Sequence, residues 1–259
     1  MQINCRMRKN KIKEVLNNGG TVSNGWLHIP NSWAAELMAH AGWDSVTVDM
    51  QHGLMGIETA IQMMQAISTS EAIPMARVTW NDPGQMMRLL DGGAYGIICP
   101  MINSAADCES FISACKYPPE GIRSFGPTRA RVYGGMDYAD HSNEEILTFA
   151  MIETKESMEN IEAILSVKGL DAIFVGSGDL KLSFTGKAGH SNNSLLFDEA
   201  IDKILSLCIK HQIIPGIWCA TIEDAKKMKD MGFRFIAVKS DSMMLTEAAK
   251  HVVNGLKAN

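Results

Sequence analysis

Apolar residues along the chain fall into short runs that alternate with longer segments of helical period. The short runs are rich in β-branched residues and apolar at successive positions, a pattern typical of strands buried on both faces. Eight such strands are predicted, at 21–29, 45–49, 73–78, 95–100, 147–153, 171–176, 213–218 and 234–239. Amphipathic stretches predict helices at 33–42, 57–68, 105–116, 157–167, 196–211 and 222–232, several of them ending near a glycine suited to a C-cap.

The repeated strand–helix pattern predicts an α/β fold. Eight strands that are apolar on both faces, each followed by a helix, favour a closed parallel (β/α)₈ barrel, the TIM-barrel architecture, over an open sheet. The chain has 259 residues, of which 46% are hydrophobic and 20% charged, enough for one barrel with a large core. Because no low-complexity tract or Pro/Ser-rich linker divides it, we expect a single domain over residues 1–259.

Charge and cysteine content narrow the class of partner. The formal net charge of -5 is mild and the basic residues are dispersed, which argues against nucleic acid and favours a small molecule. The six cysteines form no CxxC pair, and the N-terminus lacks the apolar core of a signal peptide, so we expect a reduced, cytoplasmic protein. No segment approaches the roughly 20 apolar residues that cross a bilayer, so no membrane partner is expected.

Polar side chains stand at the ends of four predicted strands. Barrel enzymes carry their chemistry at the carboxyl ends of the strands and in the loops that follow, so these side chains are expected to meet at one end of the barrel. Ordinary loops carry Ser, Asn or Lys as readily, and the recurrence of ionisable groups therefore favours an active site. The residues are Asp49, Gln51 and His52 after strand 2, Arg77 on strand 3, Glu153 on strand 5 and Asp179 after strand 6.

Several motifs occur in a characteristic order. They are DMQHG at 49–53, LDGGAYGIICPM at 90–101, YPPEGIRSFG at 117–126, IET at 152–154 and VGSGDL at 175–180. Over most of its length the chain resembles the HpcH/HpaI family of metal-dependent, class II pyruvate aldolases. The resemblance implies reversible retro-aldol cleavage of a 4-hydroxy-2-oxo acid to pyruvate and an aldehyde.

The resemblance implies that Glu153 and Asp179 are the two protein ligands of a divalent cation. Two carboxylates with water suit a hard ion such as Mg²⁺ or Mn²⁺, with Co²⁺ as a further candidate, and leave positions open for a chelating 2-oxo acid. Each residue alone has an ordinary alternative, a salt bridge for Glu153 and a helix N-cap for Asp179. Their joint occurrence on neighbouring strand ends favours the metal.

Three side chains match catalytic residues of the family. His52 corresponds to a catalytic histidine paired with an aspartate that matches Asp91, and imidazole titrates near neutrality, so it can accept a hydroxyl proton. Arg77 corresponds to an arginine that contacts the keto oxygen, where its permanent charge would stabilise an enolate. The alternative for Arg77 is a packed stem paired with a nearby Asp. His28 could also line the site.

Substrate contacts are predicted on the turn after strand 6 and the loop after strand 2. The N–H groups of Gly178 and Asp179 are expected to bind the substrate carboxylate, because glycine allows close approach and a helix begins there. Gln51, which stands where many relatives have Glu, is expected to contact the substrate. Asp49 is expected to hold water bound to the metal.

Departures from the family pattern leave the substrate range open. Met151 stands where many relatives have Gln, and Lys181 and Lys239 stand where small residues are expected. A lysine on a barrel strand would also suit a class I, Schiff-base aldolase acting through Lys239. A CoA-thioester lyase similar to citrate lyase β-subunits is a second rival function, and a barrel without enzymatic activity is a third. The non-enzymatic barrel is disfavoured because each catalytic position holds a competent side chain.

The family resemblance also implies an assembly. It predicts a homohexamer built as a trimer of dimers, with a C-terminal helix at 242–256 exchanged between neighbours. The loop at 117–126 would then reach the site of an adjacent subunit. The sequence by itself adds little support, because the apolar positions of that helix would equally serve to close an ordinary barrel.

Overall fold

Eight parallel strands form the centre of the molecule, seen here in a computed structural model that describes residues 6–187 and 195–258. They pair in chain order and close into a barrel, with β8 beside β1, so the predicted (β/α)₈ architecture is confirmed. All eight predicted strands are present. They are β1 (Val22–Leu27), β2 (Ser45–Asp49), β3 (Ile73–Arg77), β4 (Gly96–Cys99), β5 (Leu147–Ile152), β6 (Ala172–Val175), β7 (Ile214–Cys219) and β8 (Phe235–Val238).

Helices surround the barrel and connect its strands. They are α1 (Lys11–Asn17), α2 (Ser32–Ala39), α3 (Ile57–Ile67), α4 (Pro83–Asp91), α5 (Ala105–Cys115), α6 (Thr128–Gly134), α7 (Tyr138–Glu145), α8 (Lys155–Glu159), α9 (Ile161–Leu165), α10 (Ser177–Thr185), α11 (Leu195–His211), α12 (Ile222–Met231) and α13 (Asp241–Lys257). None of these described helices is long and apolar enough to span a membrane. Cys5 and His190 lie outside the described residues.

The helix predicted at 157–167 is wrong as a single element. Asn160 divides it, ending α8 and preceding α9 with backbone angles of φ -96° and ψ 6°. The apolar face continues across the break, because Met158, Ile161, Ile164 and Leu165 are all buried. The period of the apolar residues therefore predicted the buried face correctly. It did not predict the break in the helix at Asn160.

Aromatic rings fill the interior of the barrel. Trp26 of β1 stacks on Phe174 of β6 with centroids 5.3 Å apart and ring planes 11° apart. Phe235 of β8 lies 6.0 Å from Phe174 and 4.6 Å from Phe149 of β5. Offset and edge-on ring pairs of this kind add to the stability that burial provides. Trp26 and Phe174 also line a cavity that is described below.

Helix α13 is attached to the barrel at its first turn. The carboxylate of Asp241 accepts hydrogen bonds from the backbone N–H groups of His28 (2.8 Å) and Ile29 (3.1 Å) after β1. From Leu245 onward the described residues of the helix are exposed, including four large apolar side chains. These are Leu245, Val252, Val253 and Leu256. The predicted exchange of this helix between subunits stays a prediction.

Candidate active site

A cavity of about 230 Å³ opens at the carboxyl ends of the strands. It brings together four of the predicted site residues, His52, Arg77, Gly178 and Asp179. The rest of the lining is largely apolar and includes Trp26, Met151, Trp218 and Met243. A mostly apolar cavity with a few convergent polar groups is the usual form of a small-molecule site.

Asp49 is the fully buried acceptor around which one side of the cavity is organised. Its carboxylate accepts hydrogen bonds from Trp26 Nε1 (3.1 Å), His28 Nε2 (2.8 Å) and Arg77 Nε (2.7 Å) and Nη2 (2.5 Å). Burial alone would raise the pKa of Asp49, but the hydrogen bonds from His28 and Arg77 and the charge of Arg77 hold that pKa well below its usual range. Asp49 is therefore a permanent anion that fixes Arg77 and His28. Its predicted contact with metal-bound water stays a prediction.

Arg77 is held by the strand register as well as by hydrogen bonds. It lies opposite Asp49 in the β2–β3 pairing, and its guanidinium stacks over Trp26 at 4.9 Å. Nη1, the nitrogen not bonded to Asp49, lies 3.9 Å from the sulfur of Met151 at the cavity. The expected pairing with an Asp is therefore present, and it leaves one edge of the cation available to a ligand.

Glu153 follows β5 and is buried, with 2% of its surface exposed. Oε1 accepts a hydrogen bond of 2.7 Å from the backbone N–H of Met101, which is in the left-handed conformation (φ 56°) after β4. Burial raises the pKa of Glu153 to about 7; the Met101 N–H opposes the rise and the nearby charge of Asp179 adds to it. Asp179 is exposed in the first turn of α10. The two predicted ligands thus form an electrostatically coupled pair.

The carboxylate pair fits a divalent cation. Within residues 6–187 and 195–258, no group of three or more His, Cys, Asp or Glu side chains is placed to hold a metal. Two carboxylates suit an ion of the Mg²⁺ type, which keeps water and substrate oxygens among its ligands. The ionised form of a buried carboxyl group is disfavoured when a second carboxylate lies beside it. A bound cation would offset the repulsion between the two charges.

The N-terminus of α10 faces the same cavity. The first backbone hydrogen bond of this helix is from Leu180 N to Gly176 O (2.9 Å), so the N–H groups of Ser177, Gly178 and Asp179 precede the helical ladder. A Cβ built on Gly178 would meet nothing within 4 Å, so the space beside this turn is open. Free N–H groups at a helix start suit a carboxylate.

His52 and Gln51 lie on the turn after β2. The backbone N–H groups of Gln51 (3.0 Å) and His52 (3.4 Å) point to Oδ1 of Asp49, and the His52 side chain is exposed at the cavity. Gln51 is not among the residues that line the cavity, and its Oε1 is buried without a hydrogen-bond partner in the described structure. The substrate contact of Gln51 stays a prediction.

Asp91 is not brought to His52 within one chain. It is the last residue of α4, which returns from the carboxyl end of β3 to the amino end of β4, so it lies at the opposite end of the barrel. There its carboxylate accepts a 2.7 Å hydrogen bond from Arg123 Nη2, in the predicted subunit-reaching loop. Burial raises the pKa of Asp91, and the bond from Arg123 opposes the rise. The pairing of His52 with Asp91 therefore does not occur within one chain, and it stays a prediction.

The two unusual lysines do not line the cavity. Lys239 follows β8 and its amine forms an ion pair with Glu247 of α13. Lys181 is buried on α10 and lines a smaller adjoining cavity, which includes Asp224 and shares Ser177, Gly178 and Trp218 with the larger one. Among the residues that the structure describes, neither lysine lines the larger cavity. This placement does not favour a Schiff-base site.

Some functional groups carry weak sequence signals. The N–H of Met101 contributes through its backbone, and only the position of Met101 just after a predicted strand pointed to it. Gly176 makes room for the carboxylate of Glu153, a role that the GSGD turn alone does not specify. Trp218 and Met243 reach the cavity from β7 and α13, and large apolar side chains there are indistinguishable from core residues in the sequence.

Comparisons with known proteins identify the family of the chain. The chain matches the family model described as HpcH/HpaI aldolase/citrate lyase over residues 24–248. It is 36% identical over 255 residues to a hydroxypyruvate/pyruvate aldolase of Rhizorhabdus wittichii, covering 96% of this chain and 99% of the relative. It is 34% identical over 247 residues to a 4-hydroxy-2-oxo-heptane-1,7-dioate aldolase of Salmonella dublin, covering 93% and 92%.

A solved structure of the same family has a similar fold. An HpcH/HpaI aldolase/citrate lyase family protein from Burkholderia cenocepacia matches with a TM-score of 0.90 at 25% identity, covering 96% of this chain and all of that one (100%). The chain belongs to the HpcH/HpaI aldolase/citrate lyase family, as its motifs indicated. It is a lyase that acts on carbon–carbon bonds.

Proposed function

We propose that the protein catalyses reversible, divalent-metal-dependent retro-aldol cleavage of a 4-hydroxy-2-oxo acid to pyruvate and an aldehyde. The observation that carries the proposal is the pairing of buried Glu153 with Asp179 beside the cavity that holds Arg77. Both relatives compared above are named as aldolases of oxo acids, which supports the same reaction class.

Glu153 and Asp179 would hold the cation, which we propose to be Mg²⁺, Mn²⁺ or Co²⁺. When bound, it supplies Lewis-acid polarisation of the 2-oxo acid. The N–H groups of Gly178 and Asp179 at the start of α10 would bind the substrate carboxylate. Arg77 would donate from Nη1 to the keto oxygen, while Asp49 keeps the guanidinium in place.

His52 would take the proton of the C4 hydroxyl as the C3–C4 bond breaks. The electrons of that bond pass to C3 and the keto oxygen, giving the aldehyde and the enolate of pyruvate. Arg77 would stabilise the enolate because its charge is permanent and shielded from water by Trp26. Return of the proton from His52 to C3 would then give pyruvate and restore His52 to its starting state. The reverse sequence forms the 4-hydroxy-2-oxo acid.

We include the assembly in the proposal. A single barrel domain would form a homohexamer, a trimer of dimers, in which α13 is exchanged and Asp91 is supplied to His52 by a neighbouring subunit. Exposed apolar residues along α13 support the exchange. The hydrogen bond between Asp91 and Arg123 joins the aspartate to the loop at 117–126, which is proposed to reach the site of an adjacent subunit. We place the protein in the cytoplasm, as its composition suggests.

Removal and return of the metal test the proposal. EDTA is expected to abolish cleavage, and Mg²⁺, Mn²⁺ or Co²⁺ to restore it. Glu153→Ala should weaken both metal binding and turnover, whereas Glu58→Ala, a change at an exposed carboxylate on α3, should leave both unchanged. Borohydride added with pyruvate should leave no adduct on Lys239 or Lys181. Activity that persists in EDTA, together with a trapped lysine adduct, would support a class I mechanism instead.

A further inference from the structure

A second histidine, His28, lines the cavity immediately after β1. Its Nε2 lies 2.8 Å from Oδ2 of Asp49, and 30% of its side chain is exposed. The motif resemblance gave this residue no role. Of the two histidines at the cavity, His28 has a carboxylate partner within the chain, whereas the side chain of His52 makes no hydrogen bond with the residues described.

The partner of His28 fixes the tautomer of its ring. Asp49 is a permanent carboxylate that only accepts hydrogen bonds, so the hydrogen of the neutral imidazole is on Nε2. Nδ1 then carries a lone pair and acts as an acceptor. Within the described part of the chain, Nδ1 has no hydrogen-bond partner.

The backbone around His28 is held from two sides. Its N–H donates to Oδ1 of Asp241 at the start of α13 (2.8 Å), and its carbonyl accepts from Leu54 N on the loop after β2 (3.4 Å). The ring is therefore presented to the cavity by a fixed segment. A preoriented acceptor discriminates between ligands better than a mobile one.

The groups near His28 make its acceptor distinctive. Trp218 and Met243, which line the same cavity, are apolar, and the hydroxyl of Ser177 donates to the carbonyl of Trp218 (3.1 Å). The carboxylate and keto group of a 2-oxo acid only accept hydrogen bonds, so they do not complement Nδ1. The complementary ligand group is a hydroxyl.

We infer that His28 accepts a hydrogen bond from a substrate hydroxyl next to the carbon–carbon bond that is made or broken, and so selects hydroxylated substrates. This inference rests on the proposed function and names its substrate class. The hydroxyl has two possible sources, C3 of the 2-oxo acid and the α-carbon of the aldehyde. Both present the same donor to Nδ1.

Matched substrate pairs test the inference by kcat/KM for aldol addition with Mn²⁺. One pair is glycolaldehyde and acetaldehyde, each with pyruvate; the other is hydroxypyruvate and pyruvate, each with acetaldehyde. In at least one pair the wild-type enzyme should prefer the hydroxylated member by about tenfold or more, because a site built for a hydroxyl rejects the analogue that lacks it. The pair that responds identifies the source of the hydroxyl.

Two variants remove the acceptor in different ways. His28→Lys keeps a donor toward Asp49 but has no acceptor, and His28→Phe removes both nitrogens; each should bring the preference to within about twofold. His40→Gln, a change at an exposed histidine on the opposite end of the barrel, should retain it. A preference that survives in His28→Phe, or a uniform loss of rate with an unchanged ratio, would overturn the inference alone. Absence of turnover with every pair and metal would overturn the proposed function as well.

Discussion

A Cβ placed on Gly176 would lie 2.4 Å from Oε2 of Glu153, closer than side chains and carboxylates approach in proteins. The glycine has φ -80° and ψ 82°, so its backbone is outside the left-handed region and the restriction is one of space. Gly176→Ala should therefore displace the carboxylate of Glu153 and weaken Mn²⁺ binding by about tenfold or more in calorimetry. Gly56→Ala, where the nearest atom lies at 3.6 Å, is the control. Equal affinities would show that Glu153 is not a ligand.

His52→Ala should separate binding from chemistry. Loss of the imidazole is expected to lower kcat for cleavage by about 10²- to 10⁴-fold, while Mn²⁺ and pyruvate still bind, because the carboxylates, Arg77 and the α10 turn remain. Stopped assays of pyruvate release give kcat, and calorimetry gives the two affinities. His251→Ala, at an exposed position of α13, should behave as the wild type. Undiminished cleavage in His52→Ala would assign the proton transfer to another group.

The stability of the metal-free protein should depend on Glu153. Burial raises its pKa to about 7 in the fold, against 4.5 as the ordinary value. Between these values the unfolded chain releases the proton and the folded chain keeps it, so the free energy of unfolding falls as pH rises through this range. Glu153→Gln cannot ionise and should be more stable than the wild type by about 2 to 3 kcal/mol above pH 7, with the difference vanishing below about pH 4.5. Urea titrations in EDTA, above pH 7 and below about pH 4.5, measure the difference in free energy of unfolding between the two proteins. A difference that does not change with pH would contradict the prediction.

Subunit mixing tests the location of Asp91. If a neighbour supplies it, His52→Ala and Asp91→Ala oligomers are each inactive, but hybrids contain some sites with both residues intact. Exchange of subunits in mild urea should then restore about a quarter of wild-type activity for random mixing. Light scattering would record the size of the oligomer. A monomer at micromolar concentration, or hybrids that stay inactive although they have exchanged, would contradict the shared site.

Most of the barrel could be predicted from sequence because its strands are short and apolar throughout. The run at 45–49, for example, is buried at every position of β2. Helix α4 was not predicted, although Asp82 before Pro83 is an ordinary start signal. Its first turn contains Pro83 and Gly84, and the apolar segment that follows is too short for its period alone to identify a helix.

The site was predictable where side chains follow strand ends, as with Arg77 and Glu153. Asp91 differs because it was assigned by resemblance to the family and not by its place relative to a strand end. A residue just before a strand is at the amino end, opposite the cavity, and the structure makes this explicit. The hydrogen bonds that join Asp49 to His28 and Arg77 connect three strands, and no local pattern encodes such a contact.

The stacked rings of Trp26 and Phe174 have a kinetic consequence. They close the barrel below the cavity, so ligands enter and leave through one opening at the carboxyl ends of the strands. The oxo-acid end of the substrate would sit deepest, beside Glu153, with the aldehyde portion between it and the opening. In cleavage the aldehyde would then have to depart before pyruvate, and in synthesis pyruvate would have to enter first. Pyruvate should therefore inhibit cleavage competitively, and the aldehyde should not. This order of release follows from a cavity with a single opening.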